Sequence, residues 1–430
     1  MVKYLNFCFL QLNVLLFAVF LFFSSASFGQ VETNLNLDSC LNWAKQNYPL
    51  IKQKGYLQDF SENNIDNINS KWLPQVNVVA TASHQTEATV FALGSESLAF
   101  PKDNYSYGLH VTQTLFDFGL TSELKKVERA GTQSEVLKNE IELYKLNDKV
   151  LQLYGGLLVS KENIKILESY LDDLKNRQAG MASSVNNGAM LQSNLDVLDV
   201  ELLRTSQKLI EANTNFKVLC QTLGLLLNKQ IDEKASFAEI STAQLSFTPV
   251  TRPELQYFES QQSLLDERAK LLNRKSMPYV MLFGEGAYGT TGYDMLKTDL
   301  HWYGIFGARL TWNINSIHSN HYEKSNLKIN KSMVDEQKEL FQLSMNTTMV
   351  QVDGEISKLK DMIQMDSTIV NKRISVSKTS ASQLENGAIT SADYLSYLNA
   401  EKQAVLSQHI HEIQLGIAIK NKEITSGIKF

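Results

Sequence analysis

The hydrophobic positions along this chain change their period in a fixed order, and they do so twice. Leu37 to Leu73 carries a helical pattern with a short break near Tyr48-Pro49, and Pro74 then ends it, because proline cannot continue the hydrogen-bond ladder. The period next falls to two, predicting strands over about 75–86 and 105–116. In the second, Tyr105, Tyr107, Leu109, Val111 and Leu115 lie on one face; Ser106, Gly108, His110, Thr112 and Thr114 lie on the other. From Leu120 to about Gln178 no proline interrupts a long helical stretch. A turn is expected over Gly180–Gly188. Leu191, Leu195, Leu198, Leu202, Leu209, Phe216, Leu219 and Leu223 then form a coiled-coil seam. A long helix entering a glycine turn and returning as another predicts an antiparallel hairpin over about 118–226.

The order recurs after Pro278. Strands are expected over about 279–289 and 301–313, the latter with Trp302, Phe306, Ala308, Leu310 and Trp312 opposite Tyr303, Gly307, Arg309, Thr311 and Asn313. A second hairpin follows over about 318–424. Identities accompany the pattern. Asn187-Gly188-Ala189 recurs as Asn386-Gly387-Ala388, Gly108 and Thr112 as Gly307 and Thr311, and Asn69, Lys71, Pro74 and Val76 as Asn273, Lys275, Pro278 and Val280. Matches in one order at nearly one offset indicate a duplicated unit. The expected organisation is a first repeat over 30–227, a connector over 228–250 lying outside the helices, and a second repeat over 251–430.

Met1 to Gly29 reads as a secretory signal: Lys3, an apolar stretch Val14–Phe23, then small residues up to Gly29. That stretch is too short to cross a bilayer as a helix, and no later segment is long and apolar enough. The formal net charge is −5, with no basic cluster, which argues against nucleic acid as a partner. Cys8 leaves with the signal; Cys40 and Cys220 make no disulfide framework and read as small buried helix residues. Cys40 lies too far past the apolar run to serve as a lipid-attachment site.

Candidate chemistry is sparse. His318 and His321 lack further ligands for a metal site, and His409 and His411 do not share a helix face. Gly284-x-Gly286-x-x-Gly289 matches a dinucleotide pattern only as a string, since it lies in a strand with no helix opening after it. No catalytic grouping, cofactor or metal is expected, and the chain does not read as an enzyme.

The strands fit either a soluble sheet on a core or a barrel wall with lipid outside and water inside. Helices far too long to cover four strands favour the wall. Pro74 and Pro278 mark the helix-to-strand breaks. Tyr107, Leu109, Val111, Phe306, Ala308 and Leu310 are then the lipid face, and His110, Thr112, Arg309 and Thr311 the lumen face. In lipid every backbone group must be paired, so strands must close. Four cannot close alone, and several copies must contribute; three give twelve strands continued by twelve helical segments.

This layout resembles the TolC-like outer-membrane efflux proteins over about residues 35–425. The resemblance is carried by the repeat, the two prolines, Arg252-Pro253-Glu254-Leu255, and turns in which Gly387 is followed by Asp393-Tyr394-Leu395 and Gly188 by Asn194-Leu195. It implies a mainly α fold with transmembrane β. Four strands per chain would join a trimeric 12-stranded barrel in the outer membrane of a Gram-negative bacterium, and a helical tube would extend into the periplasm. It also implies a homotrimer, a periplasmic adaptor and an inner-membrane pump as partners, with no cofactor. Tip and gate positions fall on Gly188, Asn194, Gly387, Asp393 and Ser396. Some members carry a second acid where this chain has Ser396, and Asn194 stands in the first copy where Asp393 stands in the second, so an acidic gate or a helix cap are both open for Asp393. A periplasmic adaptor or coiled-coil scaffold is the competing reading; adaptors carry one hairpin with small β-rich domains.

Overall fold

The computed structural model describes residues 34–93, 96–242, 252–290 and 297–427. The expected signal segment and its cleavage point lie outside these residues. The chain opens with β1 (Asn34–Leu35) and α1 (Leu37–Asn47), whose N-cap Asn36 accepts from Ser39 N. A 3-10 turn over Pro49–Lys52 follows, at the expected break, then α2 (Gln53–Ser70). The helix ends four residues before Pro74, not at Leu73, since the chain ahead of a proline is pushed out of helical geometry. Strand β2 (Gln75–His84) begins on the residue after it.

The expected loop over 86–104 contains a small hairpin, β3 (Val90–Leu93) with β4 (Glu96–Ala99), before β5 (Asp103–Phe116). Helices α3 (Leu120–Tyr144) and α4 (Leu146–Asn186) follow. They are one rod with a hitch at Lys145, whose N–H still donates to Ile141 O. Helix α4 runs through Gly180, so the expected turn over 180–188 shrinks to the residues before α5 (Gln192–Leu227). Gly180 makes no tight contact, and a lone glycine costs a long packed helix only about 1 kcal/mol. The second half gives α6 (Pro253–Lys275), β7 (Tyr279–Gly289), β8 (His301–Thr311), α7 (Ser316–Glu385) and α8 (Ser391–Ser426). Seventy residues place the ends of α7 roughly 105 Å apart.

The strands form one antiparallel sheet in the order β2-β5-β7-β8. The helices run away from it as two hairpins, α4 against α5 and α7 against α8, with α4 also packing on α8. Their waist is an apolar cluster. Leu37, Cys40 and Leu41 from α1 meet Val150, Tyr154 and Leu157 from α4, Phe216, Cys220 and Leu223 from α5, and Ile424 from α8. Cys40 and Cys220 are both buried, and burial pushes the Cys220 thiol up to about 11.

The segment after α5 does more than connect. A short strand β6 (Ser236–Phe237) pairs parallel with β1, and Ala235, Phe237 and Ile240 are buried in the waist cluster. The expectation of a connector outside the helices is thus corrected. These apolar residues are too few to show a period, but enough to fill the gap between hairpins. The Tyr154 hydroxyl lies 2.8 Å from Leu35 O and 2.7 Å from Ala238 O, tying both strands to α4.

Candidate channel wall and helical tip

The register of the sheet fixes two faces. On one, Val78, Leu109 and Gly286 lie in a row, as do Ala80, Tyr107, Tyr288 and Trp302. Val111 pairs with Gly284, which faces Phe306; Ala308 pairs with Leu282, and Leu310 with Val280. This face is bare: Phe306 is 91 % exposed, and Leu109, Leu310 and Tyr107 are exposed too. A soluble sheet would bury such a face, and the helices do not cover it. Its far end carries the aromatic row Tyr107–Tyr288–Trp302, with ring centroids 5.7 and 5.3 Å apart. Its near end carries Trp312, whose indole N–H donates to Ser276 O at the base of the sheet.

The opposite face holds His110, Thr112, Arg309 and Thr311 together, as the alternation predicts. It also holds residues that the alternation did not assign. His110 Nε2 sits 3.5 Å from Glu285, its partner across the β5–β7 ladder. The Arg309 guanidinium lies over the Phe283 ring, 4.9 Å from its centroid. Gly284, Gly286 and Gly289 obscured the strand pattern around Phe283 and Glu285; the period-two spacing of Met281, Phe283 and Glu285 was the available signal.

At the other end of the molecule the two turns have the same geometry. Gly188 has φ +70° and Gly387 φ +68°. Gly188 N donates to Val185 O and Ala189 N to Ser184 O; Gly387 N donates to Leu384 O and Ala388 N to Gln383 O. Both are helix ends closed by a left-handed residue. No atom lies within 4 Å of a Cβ built on either glycine, so backbone conformation alone selects it.

The residues after these turns differ. Asp393 closes a capping box at the start of α8: its Oδ2 accepts from Thr390 N (3.0 Å) and from the Thr390 hydroxyl (2.6 Å), while Asp393 N donates to Thr390 Oγ1. The hydroxyl and amide of Thr390 hold this carboxylate below its ordinary range. Asn194 faces the other hairpin, and its Oδ1 accepts from Ser391 N at 3.4 Å. Ser396 is exposed on the same side of α8 as Asp393, opposite buried Tyr394, Leu395 and Leu398.

Two arginine links join the hairpins, neither given a role from the sequence. Arg177 of α4 pairs with Glu385 at 2.5 Å and lies over the Tyr394 ring. Arg252, at the start of the Arg-Pro-Glu-Leu string, donates to Glu254 and to Ile424 O, with its guanidinium over Tyr144 and Phe341. Burial pushes the Tyr144 phenol up to about 12. Among the described residues no group of His, Cys, Asp and Glu could hold a metal ion, and no helix is long and apolar enough to cross a membrane.

No protein-family profile matches the chain, and no curated protein sequence does. Solved structures do. The chain is similar to CusC, described as forming a transmembrane channel, over 94 % of its own length and 95 % of that chain, with a TM-score of 0.68 and 14 % identity. It is similar to the CmeC outer membrane channel of Campylobacter jejuni over 91 % and 85 %, at 0.63 and 14 %. It is similar to the outer membrane protein VceC of Vibrio cholerae over 91 % and 97 %, at 0.63 and 12 %. A mainly helical chain with a four-stranded antiparallel sheet and two long hairpins therefore has the fold of the TolC-like outer-membrane channels.

Proposed function

We propose that the chain is the outer-membrane duct of an export assembly, a passive conduit and not an enzyme, closed by three copies. The observation that carries this reading is the bare apolar face of the sheet. It runs from the Tyr288–Trp302 row to Trp312, and ten residues of strand tilted about 40° span roughly 25 Å, the height of an outer-membrane apolar band. Aromatic residues at both limits suit the two membrane interfaces. Leu109, Val111, Phe306, Ala308 and Leu310 face lipid in this reading; His110, Thr112, Arg309 and Thr311 face the lumen.

Strands β2 and β8 are the sheet's edges, and in lipid an unpaired edge costs several kcal/mol per backbone group. Joining β8 of one copy to β2 of the next removes both. Two copies would make eight strands, whose interior side chains fill it, whereas three leave a lumen of roughly 12 Å radius at the backbone. The helices carry complementary material. Leu203, Ile210, Val218 and Leu225 on α5, and Ile329, Met333, Leu340, Leu343 and Val350 on α7, are exposed at coiled-coil spacing and would be covered by neighbouring copies.

The duplication, the lipid side of the sheet and a tip around Gly188, Asn194, Gly387, Asp393 and Ser396 belong to the same proposal. The tip is the periplasmic end, where an adaptor linked to an inner-membrane pump would dock. Similarity to outer membrane channels such as CmeC supports the location. Purified protein added to planar bilayers should give discrete conductance steps, and extraction from envelopes should require detergent. Release by salt or carbonate alone would overturn the reading.

A further inference from the structure

We propose that Arg309, backed by Phe283, is a contact site in the barrel lumen for the anionic group (carboxylate, sulfonate or phosphate) of aromatic solutes passing through it. The inference rests on the trimeric duct proposed above. Its starting point is the different treatment of two cations at matching places in the two halves. His110 follows Gly108 by two residues, and Arg309 follows Gly307 by two. His110 has a carboxylate beside it, Glu285 at 3.5 Å. Arg309 has an aromatic ring instead, and no ion pair within 4 Å joins it to a described carboxylate.

The surroundings hold the guanidinium in a defined pose. Phe283 sits across the ladder from Gly307, and a Cβ on Gly307 would lie 2.9 Å from its ring. A glycine there lets the ring lie against the wall. The Arg309 guanidinium lies over that ring, which shields it on that side and leaves its N–H groups available to a ligand. Its neighbours on this face are Met281 and Thr311, and Thr112 lies beyond Phe283. None is acidic. Glu285 is four residues away along the sheet, about 13 Å by strand rise. A planar donor fork beside an aromatic surface matches an aromatic carboxylate or sulfonate: the fork takes the anion in bidentate fashion and the ring offers apolar contact. Closing three copies would place three such sites around one lumen.

The test is block of single-channel current by 1-naphthalenesulfonate added on the extracellular side, so that the probe need not pass the helical tip. Wild type should show concentration-dependent block, and 1-naphthol should block far less. R309Q should weaken the sulfonate's apparent affinity about tenfold, the scale of a charge-assisted hydrogen bond. F283A should weaken it by a smaller factor, and E285Q should leave it equal or stronger. If R309Q reduces assembly, R309C channels treated with a cationic or an anionic thiol reagent supply the comparison, since Cys40 and Cys220 are buried. The cationic adduct should restore block and the anionic one abolish it. Equal block in wild type and R309Q, or equal block with the two adducts, would overturn the site while leaving the duct intact. Absence of any conductance from wild type would instead overturn the duct.

Discussion

The two outgoing helical rods differ in what covers their apolar positions. In the first, α3 and α4 bury Val136, Leu137, Leu143, Leu146, Val150, Leu151, Leu157 and Leu158 within the same chain, much of it against α1 and α5. In the second, α7 leaves Ile329, Met333, Leu340, Leu343 and Val350 exposed, the last at 73 %. Between Ser316 and Val350 its only buried residue is Asn320, whose amide donates to Leu272 O. Both rods have heptad-like spacing, so spacing alone does not say whether a stripe is core or interface. The difference teaches that the first outgoing rod is packed within the chain, whereas the first half of the second leaves its apolar stripe open in the single chain, where the proposed trimer would cover it.

The largest effects should separate these two kinds of apolar position. Leu157 is fully buried, and Leu157→Asp would place an unpaired charge in the waist at a cost of about 4 kcal/mol or more, so no folded protein should accumulate. Leu340→Asp combined with Leu343→Asp should leave a folded, helical monomer by circular dichroism that no longer runs as an oligomer in detergent. Retention of the oligomer by the second variant would show that the α7 stripe is not an interface.

The same contrast holds on the sheet. Val111→Arg puts a charge on the face assigned to lipid and should cost about 2–4 kcal/mol, while Thr112→Arg, on the facing side of the same strand, should cost far less. Assembly in membranes is the readout, and equal tolerance would break the assignment of faces. Less is at stake at the turns. Gly387→Val forces a side chain to φ +68°, a strain of about 1–2 kcal/mol, and should loosen the tip and impair export with the trimer intact. Gly188→Val should act equally, since neither site has atoms to clash with.

The smallest effect distinguishes the two α-helical starts beyond those turns. Asp393 is held below its ordinary range by Thr390, so its contribution is present above about pH 4 and is lost as pH falls through the lowered folded value. Amide exchange at 390–394 should therefore rise only in acid, and Thr390→Ala should raise it already at neutral pH. The corresponding start at Leu191 and Asn194 has no capping box and should show no such acid step.

Much of this was legible because it rests on local periodicity. The alternation around Leu109 and His110 placed each residue on the face where the register puts it, and Asn-Gly-Ala marked both turns because only a residue tolerant of positive φ closes them. What escaped depends on contacts distant in sequence. Phe237 and Ile240 entered the core from a segment with no period of its own, and Arg177 met Glu385 208 residues away. Glu285 was hidden because the glycines beside it weaken the strand signal. Gly180 misled in the other direction, since packing of α4 overrode its low helix propensity.

The central claim is that three copies share one barrel, because four strands with two open edges cannot stand alone in lipid. Its most direct test is the mass of the protein component of the detergent-solubilised particle, measured after crosslinking, together with limited proteolysis of the strands. The account predicts three chains per particle and strands 75–84, 103–116, 279–289 and 301–311 protected from cleavage. A stable monomer whose strands resist proteolysis would contradict it.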